Sequence, residues 1–265
     1  MPFVNNNGVK IHYEIEGQGP PLMLQHGLMG SLERWRIYGY AQELKKDYRL
    51  ILVDARGHGQ SDRPHEPEAY TYERFASDYV AILDDLGIQK ANYLGYSMGA
   101  AIGFKGIARY TLPRFNSLIL GGINPTDTTP EPERQFWNVL INGMQLAIRE
   151  GWRAWIADYE KRYGRPYDQR LVPTALVNDP VALLAIGQRL TDGMGVEEIL
   201  PKINVPCLVF AGTADAFHPG AKEAVARMPK ATFVSFPGLD HVGCFASTDL
   251  VLPHVKKFLA EVNKR

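Results

Sequence analysis

Short apolar segments alternate with helical patterns along most of the chain. Near-continuous apolar runs cover residues 22–25, 50–53, 91–94, 117–120, 207–211 and 232–236. Residues 9–15 alternate apolar and polar side chains instead, which predicts a strand with one solvated face. Residues 72–86 repeat apolar side chains at helical spacing and end at Gly87, which predicts an amphipathic helix. Strands that are apolar at nearly every position and alternate with helices indicate a mostly parallel α/β sheet covered on both faces.

This alternation stops between about residues 125 and 190, where no strand pattern is found. The segment has helical periodicity and contains the aromatic residues Phe136, Trp137, Trp152 and Trp155. We therefore expect residues 1–124 and 191–265 to form the core and residues 125–190 to form an inserted helical cap. The insertion follows the end of a strand, where sheets of this kind bind ligands, so the four aromatic residues are candidates for lining a substrate pocket. The alternative is that they fill the core of an ordinary helical layer.

The segment Gly95-Tyr96-Ser97-Met98-Gly99 lies between a predicted strand and a predicted helix. A serine in a tight turn at that position, with a glycine two residues away on either side, is the arrangement called a nucleophile elbow. The turn is so tight that a side chain at position 95 or 99 would collide with neighbouring backbone, whereas glycine fits. The pattern predicts that the hydroxyl of Ser97 is presented above the sheet.

A serine nucleophile needs a base within hydrogen-bonding distance, and the base needs an orienting carboxylate. Of the seven histidines, His241 follows the last predicted strand at the same sheet edge as the elbow, and elimination of the other six leaves it as the base. Asp215 follows a strand end and precedes His241, so the order Ser97, Asp215, His241 is the one expected for this elbow. Asp240 is rejected as the acid, because adjacent residues in a tight loop seldom point at one another and Asp240 immediately precedes His241.

An oxyanion hole requires two backbone N–H groups. Met98, immediately after the candidate nucleophile, is expected to supply one. The residue after His26-Gly27, which is Leu28, is expected to supply the other.

Composition limits the kinds of binding partner and the location that we expect. The chain has 265 residues and a formal net charge of zero, without a lysine or arginine stripe, which argues against nucleic acid or an anionic membrane as the main partner. Cys207 and Cys244 have no metal-site spacing, and we favour two buried thiols over a disulfide. The N-terminus lacks a signal-peptide pattern and no stretch is typical of a membrane span, so we expect a cytoplasmic protein. We expect a small ester-like substrate, no metal, and a monomer or homodimer.

Together these motifs resemble the α/β-hydrolase superfamily. The resemblance rests on His26-Gly27 with Ser31 and Trp35, the loop at residues 54–61, the elbow, the segment at residues 212–215 with Pro219, and His241. It implies an eight-stranded, mostly parallel sheet, a Ser-His-Asp triad and no cofactor. The nearest branch resembles the small esterases, lactonases and carbon–carbon bond hydrolases.

Two departures argue against neighbouring branches, and a third weakens two others. Serine rather than aspartate at position 97, and Met29 where a His-Gly-x-Pro motif has proline, argue against epoxide hydrolases and haloalkane dehalogenases. Ala100 follows Gly99 where many enol-lactonases and carbon–carbon hydrolases have a second glycine.

The leading hypothesis is hydrolysis of a small to medium carboxylic ester through an acyl-Ser97 intermediate. Lactonase, carbon–carbon hydrolase, thioesterase and perhydrolase chemistry use the same triad and stay open, and the fold also serves as a ligand receptor. A dinucleotide site is excluded, because the glycines of residues 57–62 lack the required third glycine and do not begin a helix.

Overall fold

The sheet organises the molecule. The computed structural model describes residues 2–126, 129–191 and 195–264, and within them eight strands form one sheet in the order β1-β2-β4-β3-β5-β6-β7-β8. The strands, in chain order, are β1 Phe3–Asn6, β2 Val9–Glu16, β3 Pro21–Gln25, β4 Arg49–Val53, β5 Ala91–Tyr96, β6 Phe115–Gly121, β7 Cys207–Gly212 and β8 Ala231–Phe236. Pairing from β4 through β8 is parallel, and β1 and β2 pair antiparallel at one edge. The predicted fold class is confirmed.

The apolar runs became strands because both faces of the sheet are covered. Along β4, Ile51 and Val53 belong to the core cluster on one face, while Leu50 and Leu52 belong to the cluster on the other. Successive side chains of a strand point to opposite faces. A strand without a polar alternation is therefore what a sheet buried on both sides requires.

The first hairpin differs from the sequence prediction. Residues 9–15 were expected to have a solvated face, yet Ile11, His12 and Tyr13 are all buried. The strand β1, which the sequence did not predict, pairs with β2 and places Phe3 opposite His12, with their ring centroids 5.0 Å apart. His12 also lies against Asp54, so its polar side chain is buried among partners rather than in water.

Helices flank the sheet. They are α1 Glu33–Ile37, α2 Tyr40–Leu44, α3 Tyr72–Asp85, α4 Met98–Ala101, α5 Glu131–Glu150, α6 Trp152–Tyr163, α7 Val172–Val177, α8 Pro180–Thr191, α9 His218–Val225, α10 His241–Ala246 and α11 Thr248–Val262. A π-helix at Ile102–Thr111 continues α4, and 3₁₀ turns lie at Pro67–Tyr70, Leu112–Arg114, Gln169–Leu171 and Leu200–Lys202. The helix predicted over residues 72–86 is α3.

The segment between β6 and β7 contains α5 to α8, and its described residues include no strand. Residues 127 and 128, inside the predicted cap, and residues 192–194, just after it, lie outside the described part. Helix α5 packs on both α6 and α8.

Two further observations concern cysteine and membrane spans. Cys207 and Cys244 are both buried free thiols, as predicted.

Within the described ranges no single helix combines the length and apolarity needed to cross a membrane, although residues 169–177 and 180–190, bent by 96° at their junction, meet that test as a pair.

Candidate active site

Ser97 lies in the turn between β5 and α4, with φ 55° and ψ −115°. The neighbouring glycines are sterically required. A Cβ at Gly95 would lie 2.5 Å from the backbone of Gly99, and a Cβ at Gly99 would lie 2.3 Å from the carbonyl oxygen of Gln25. The Ser97 N–H donates to the Gly121 carbonyl oxygen at 2.8 Å, which ties the turn to the next strand. The turn therefore has the tight geometry that the sequence predicted.

The three residues predicted as a triad lie in one hydrogen-bonded row. Nε2 of His241 is 3.0 Å from Oγ of Ser97, and Nδ1 of His241 is 2.9 Å from Oδ2 of Asp215. The Asp215 side chain is buried, and its other oxygen accepts from the Phe217 N–H at 3.1 Å. A carboxylate fixed in this way can hold the imidazole in one orientation and stabilise its protonated form.

His241 was expected in a loop, but it is the first residue of the short helix α10. Asp240 is the N-cap of that helix, and its Oδ1 accepts from the Gly243 N–H at 2.6 Å. This capping bond directs the Asp240 side chain to its own helix, which agrees with its rejection as the acid. The Tyr96 hydroxyl donates to the His241 carbonyl oxygen at 2.7 Å and adds a second restraint on the base.

The two backbone groups predicted for the oxyanion hole flank Ser97. A Cβ at Gly27 would lie 3.1 Å from Cβ of Ser97, so the loop that carries Leu28 passes directly beside the serine. The next N–H, of Met29, donates to Nε2 of His58 at 3.3 Å. In the part of the chain that the structure describes, the N–H groups of Leu28 and Met98 have no protein acceptor.

Buried histidines support this loop. Nδ1 of His26 bonds to the Gly27 carbonyl oxygen at 2.8 Å, and Nε2 of His26 accepts from the Ala55 N–H at 3.2 Å. Complete burial lowers the pKa of His26 to about 4 and holds the pKa of His58 well below its usual range. Both rings are therefore neutral at pH 7 and can accept the backbone N–H groups.

A cavity of about 430 Å³ opens onto Ser97 and His241. Of the four aromatic residues predicted to line the pocket, Phe136 of α5 and Trp155 of α6 do so. Trp137 lines a different cavity, because adjacent residues of a helix point about 100° apart. Trp152 is not among the residues lining either cavity, since its Nε1 donates to the Asn178 carbonyl oxygen at 2.7 Å and its ring packs in the helical layer.

Sequence reasoning did not select several polar residues of this cavity, among them Arg34 and Tyr38 of the segment after the Leu28 loop, Tyr167 and Asp168. For Arg34, the available sequence signal was its position six residues after Leu28, which is a candidate oxyanion-hole residue. No group of three or more possible metal-ligating side chains occurs within the described residues.

Comparisons with known proteins identify the family and the fold. The family model described as alpha/beta hydrolase fold matches residues 20–195. A putative non-heme chloroperoxidase from Synechocystis sp. is 27% identical over 287 residues, covering 98% of this chain and 100% of that protein. The structure of an enol-lactonase from Burkholderia xenovorans is 26% identical with a TM-score of 0.79, covering 98% of this chain and 100% of that one. A carboxylesterase structure from Nitrososphaera gargenis, 22% identical and covering 99% of each chain, shares the fold with a TM-score of 0.84.

Proposed function

The chain belongs to the alpha/beta hydrolase family and is a hydrolase, and from that premise we propose that it cleaves a small to medium carboxylic ester through an acyl-Ser97 intermediate. The observation that carries the proposal is the hydrogen-bonded row from Ser97 through His241 to the buried Asp215, with distances of 3.0 and 2.9 Å. That row is the arrangement by which a neutral serine becomes a nucleophile.

In the proposed reaction, Nε2 of His241 takes the proton of the Ser97 hydroxyl as its oxygen attacks the ester carbonyl carbon. The N–H groups of Leu28 and Met98 bind the oxyanion that forms. Collapse of the tetrahedral intermediate releases the alcohol, which receives the proton from His241. Water then attacks the acyl-serine by the same route, and Asp215 stabilises the imidazolium in both halves.

We also propose that residues 125–190 act as the cap of this site. Helix α5 contributes Phe136 and Leu140 to the cavity that contains Ser97, and α6 contributes Trp155 and Tyr159. The Phe136 ring lies 4.9 Å from the His241 ring. These apolar walls favour substrates with apolar acyl or alcohol groups.

Lactone hydrolysis is the second candidate, because the enol-lactonase of Burkholderia xenovorans matches the chain over nearly its whole length. The same residues would open a cyclic ester, with the leaving alcohol held in the product. Comparing an open-chain butyrate ester with γ-butyrolactone separates the two preferences.

The first test is hydrolysis of p-nitrophenyl butyrate by the wild type and by Ser97→Ala. Loss of the nucleophile is expected to lower kcat by about 10⁶-fold. Ser235→Ala, which removes the hydroxyl of an exposed serine outside the cavity, is the matched control. Equal rates in the wild type and Ser97→Ala would reject Ser97 as the nucleophile. Tight binding of an ester without turnover in the wild type would favour a receptor.

A further inference from the structure

All but one of the charged side chains that line the cavity of Ser97 pair with a group of opposite charge or with His241. Those that line it are Arg34, Asp158, Arg162, Arg165, Asp168, Asp215 and Asp240. Asp158 pairs with Arg162 at 2.9 Å, Asp240 with Arg165 at 3.2 Å, and Asp168 with Arg170 at 2.7 Å. Asp215 is bound to His241. Arg34 is the cation left over, since no carboxylate of the described residues lies within 4.0 Å of it.

The position of Arg34 places its charge at the wall of the cavity beside the candidate oxyanion loop. Arg34 belongs to α1, and a Cβ at Gly30 would lie 3.1 Å from Cδ of Arg34. Its Nε is buried without a hydrogen-bond partner. Tyr38 and Tyr167 line the same cavity as Arg34. Burial raises the pKa of both hydroxyls, and Arg34 opposes that rise through its positive charge and, at Tyr167, also through a side-chain hydrogen bond.

A partly buried arginine without a carboxylate partner favours the binding of an anion. Partial burial removes water from the guanidinium, which leaves its positive charge poorly solvated until an anion in the cavity pairs with it. The planar guanidinium matches a carboxylate through two parallel hydrogen bonds. The rest of the cavity wall is largely apolar, with Leu140, Val139 and Trp155 among its residues.

We propose that Arg34 binds a carboxylate of the substrate, so that the preferred substrates are esters or lactones with an apolar body and one free carboxylate. This inference rests on the proposed function, because it concerns the same cavity. It adds a substrate class and a specificity residue, whereas the triad alone would accept neutral and anionic esters alike.

The test compares esters that differ only in charge. Mono-4-nitrophenyl glutarate and 4-nitrophenyl pentanoate have acyl chains of equal length, and 4-acetoxybenzoate with its methyl ester carries the charge on the alcohol side instead. In the wild type, kcat/KM for the anionic member of at least one pair should exceed that of the neutral member. In Arg34→Met this ratio should fall about 10- to 100-fold, mainly through KM.

Two variants serve as controls. Arg34→Lys keeps the charge but not the bidentate geometry, and should keep part of the preference. Arg153→Met removes one positive charge from the exposed surface of α6, outside the cavity lining, and should leave the ratio at the wild-type value. Equal ratios in Arg34→Met and the wild type would overturn the proposal. Thermal unfolding midpoints establish that each variant is folded.

A binding measurement separates failure of this inference from failure of the proposed function. Calorimetric titration of Ser97→Ala with 4-phenylbutyrate and 4-phenylbutyramide requires no turnover. We expect the carboxylate to bind about tenfold or more tightly than the amide, and Arg34→Met in the same background to remove the difference. Equal affinities would reject the role of Arg34 even if esters are hydrolysed. A difference without Ser97-dependent turnover would reject the esterase mechanism instead.

Discussion

Replacing Ser97 by glycine is expected to stabilise the folded chain relative to replacing it by alanine. At φ 55° and ψ −115°, Ser97 has a backbone conformation that side chains with a Cβ rarely adopt. Such a conformation costs about 1–3 kcal/mol and persists only where the surroundings impose it. Glycine removes the clash of Cβ with the backbone, and so releases that strain.

The net magnitude follows from two opposing terms. Glycine increases the conformational entropy of the unfolded chain, which costs about 0.5–1 kcal/mol. Subtracting the middle of this range from the middle of the strain range leaves a gain of about 1 kcal/mol for Ser97→Gly over Ser97→Ala. For a domain of this size that corresponds to an increase in Tm of about 2–4 °C.

The comparison with alanine isolates the backbone effect. Both variants lose the hydrogen bond between Oγ of Ser97 and Nε2 of His241, but only Ser97→Ala keeps the Cβ. The assay is urea unfolding at pH 7 together with thermal unfolding. Ser235, in β8, has no positive φ, so there the glycine variant should be less stable than the alanine variant. The reasoning is refuted if Ser97→Gly is no more stable than Ser97→Ala while the Ser235 pair behaves as expected.

Three further predictions concern the same site. Asp215→Asn should lower kcat for p-nitrophenyl butyrate by about 10⁴-fold, because an amide holds the wrong imidazole tautomer; a loss below tenfold would reject Asp215 as the orienting acid. Gly99→Ala should destabilise the chain by more than about 3 kcal/mol in urea unfolding, since its Cβ would lie 2.3 Å from a carbonyl oxygen, whereas Gly187→Ala meets nothing closer than 3.6 Å and should be neutral or stabilising. His26 alone should contribute about 3 kcal/mol to the fall in the free energy of unfolding as the pH is lowered from 6.5 to 4, because the unfolded state protonates His26 near 6.5 and the folded state only near 4. Urea unfolding of His26→Gln should show a smaller fall over the same range.

The parts of the fold that could be predicted from sequence are those set by local pattern. The apolar runs predicted the parallel strands because burial on both faces favours apolar side chains at nearly every position. The edge strand β1 was missed, since Phe3–Asn6 contains two asparagines and is stabilised by its pairing with β2 rather than by its own propensity. The strand position of His12 was predicted, but its burial depends on contacts with Phe3 and Asp54 that no local pattern contains.

The candidate site was predictable to the extent that its residues follow strand ends. Ser97, Asp215 and His241 all lie after strands whose carboxyl ends meet at one edge, so their proximity follows from the topology. The cavity wall was not predictable in the same way. Whether Trp137 or Phe136 of α5 faces the cavity depends on how that helix is rotated on the sheet, and hydrophobic periodicity does not determine that rotation when both neighbours are aromatic.

The turn-rich loop at residues 54–61 is part of the family resemblance, but the sequence assigns it no role. Its contacts in the structure indicate a role in positioning neighbouring backbone. The carboxylate of Asp54 accepts from the Leu32 and Gln60 N–H groups at 2.8 and 3.0 Å. His58 of the same loop accepts from the Met29 N–H, and Met29 has a positive φ of 63°. Such backbone strain persists only where contacts impose it. The loop therefore holds the Leu28 segment against Ser97, and it can do so only while His58 is neutral.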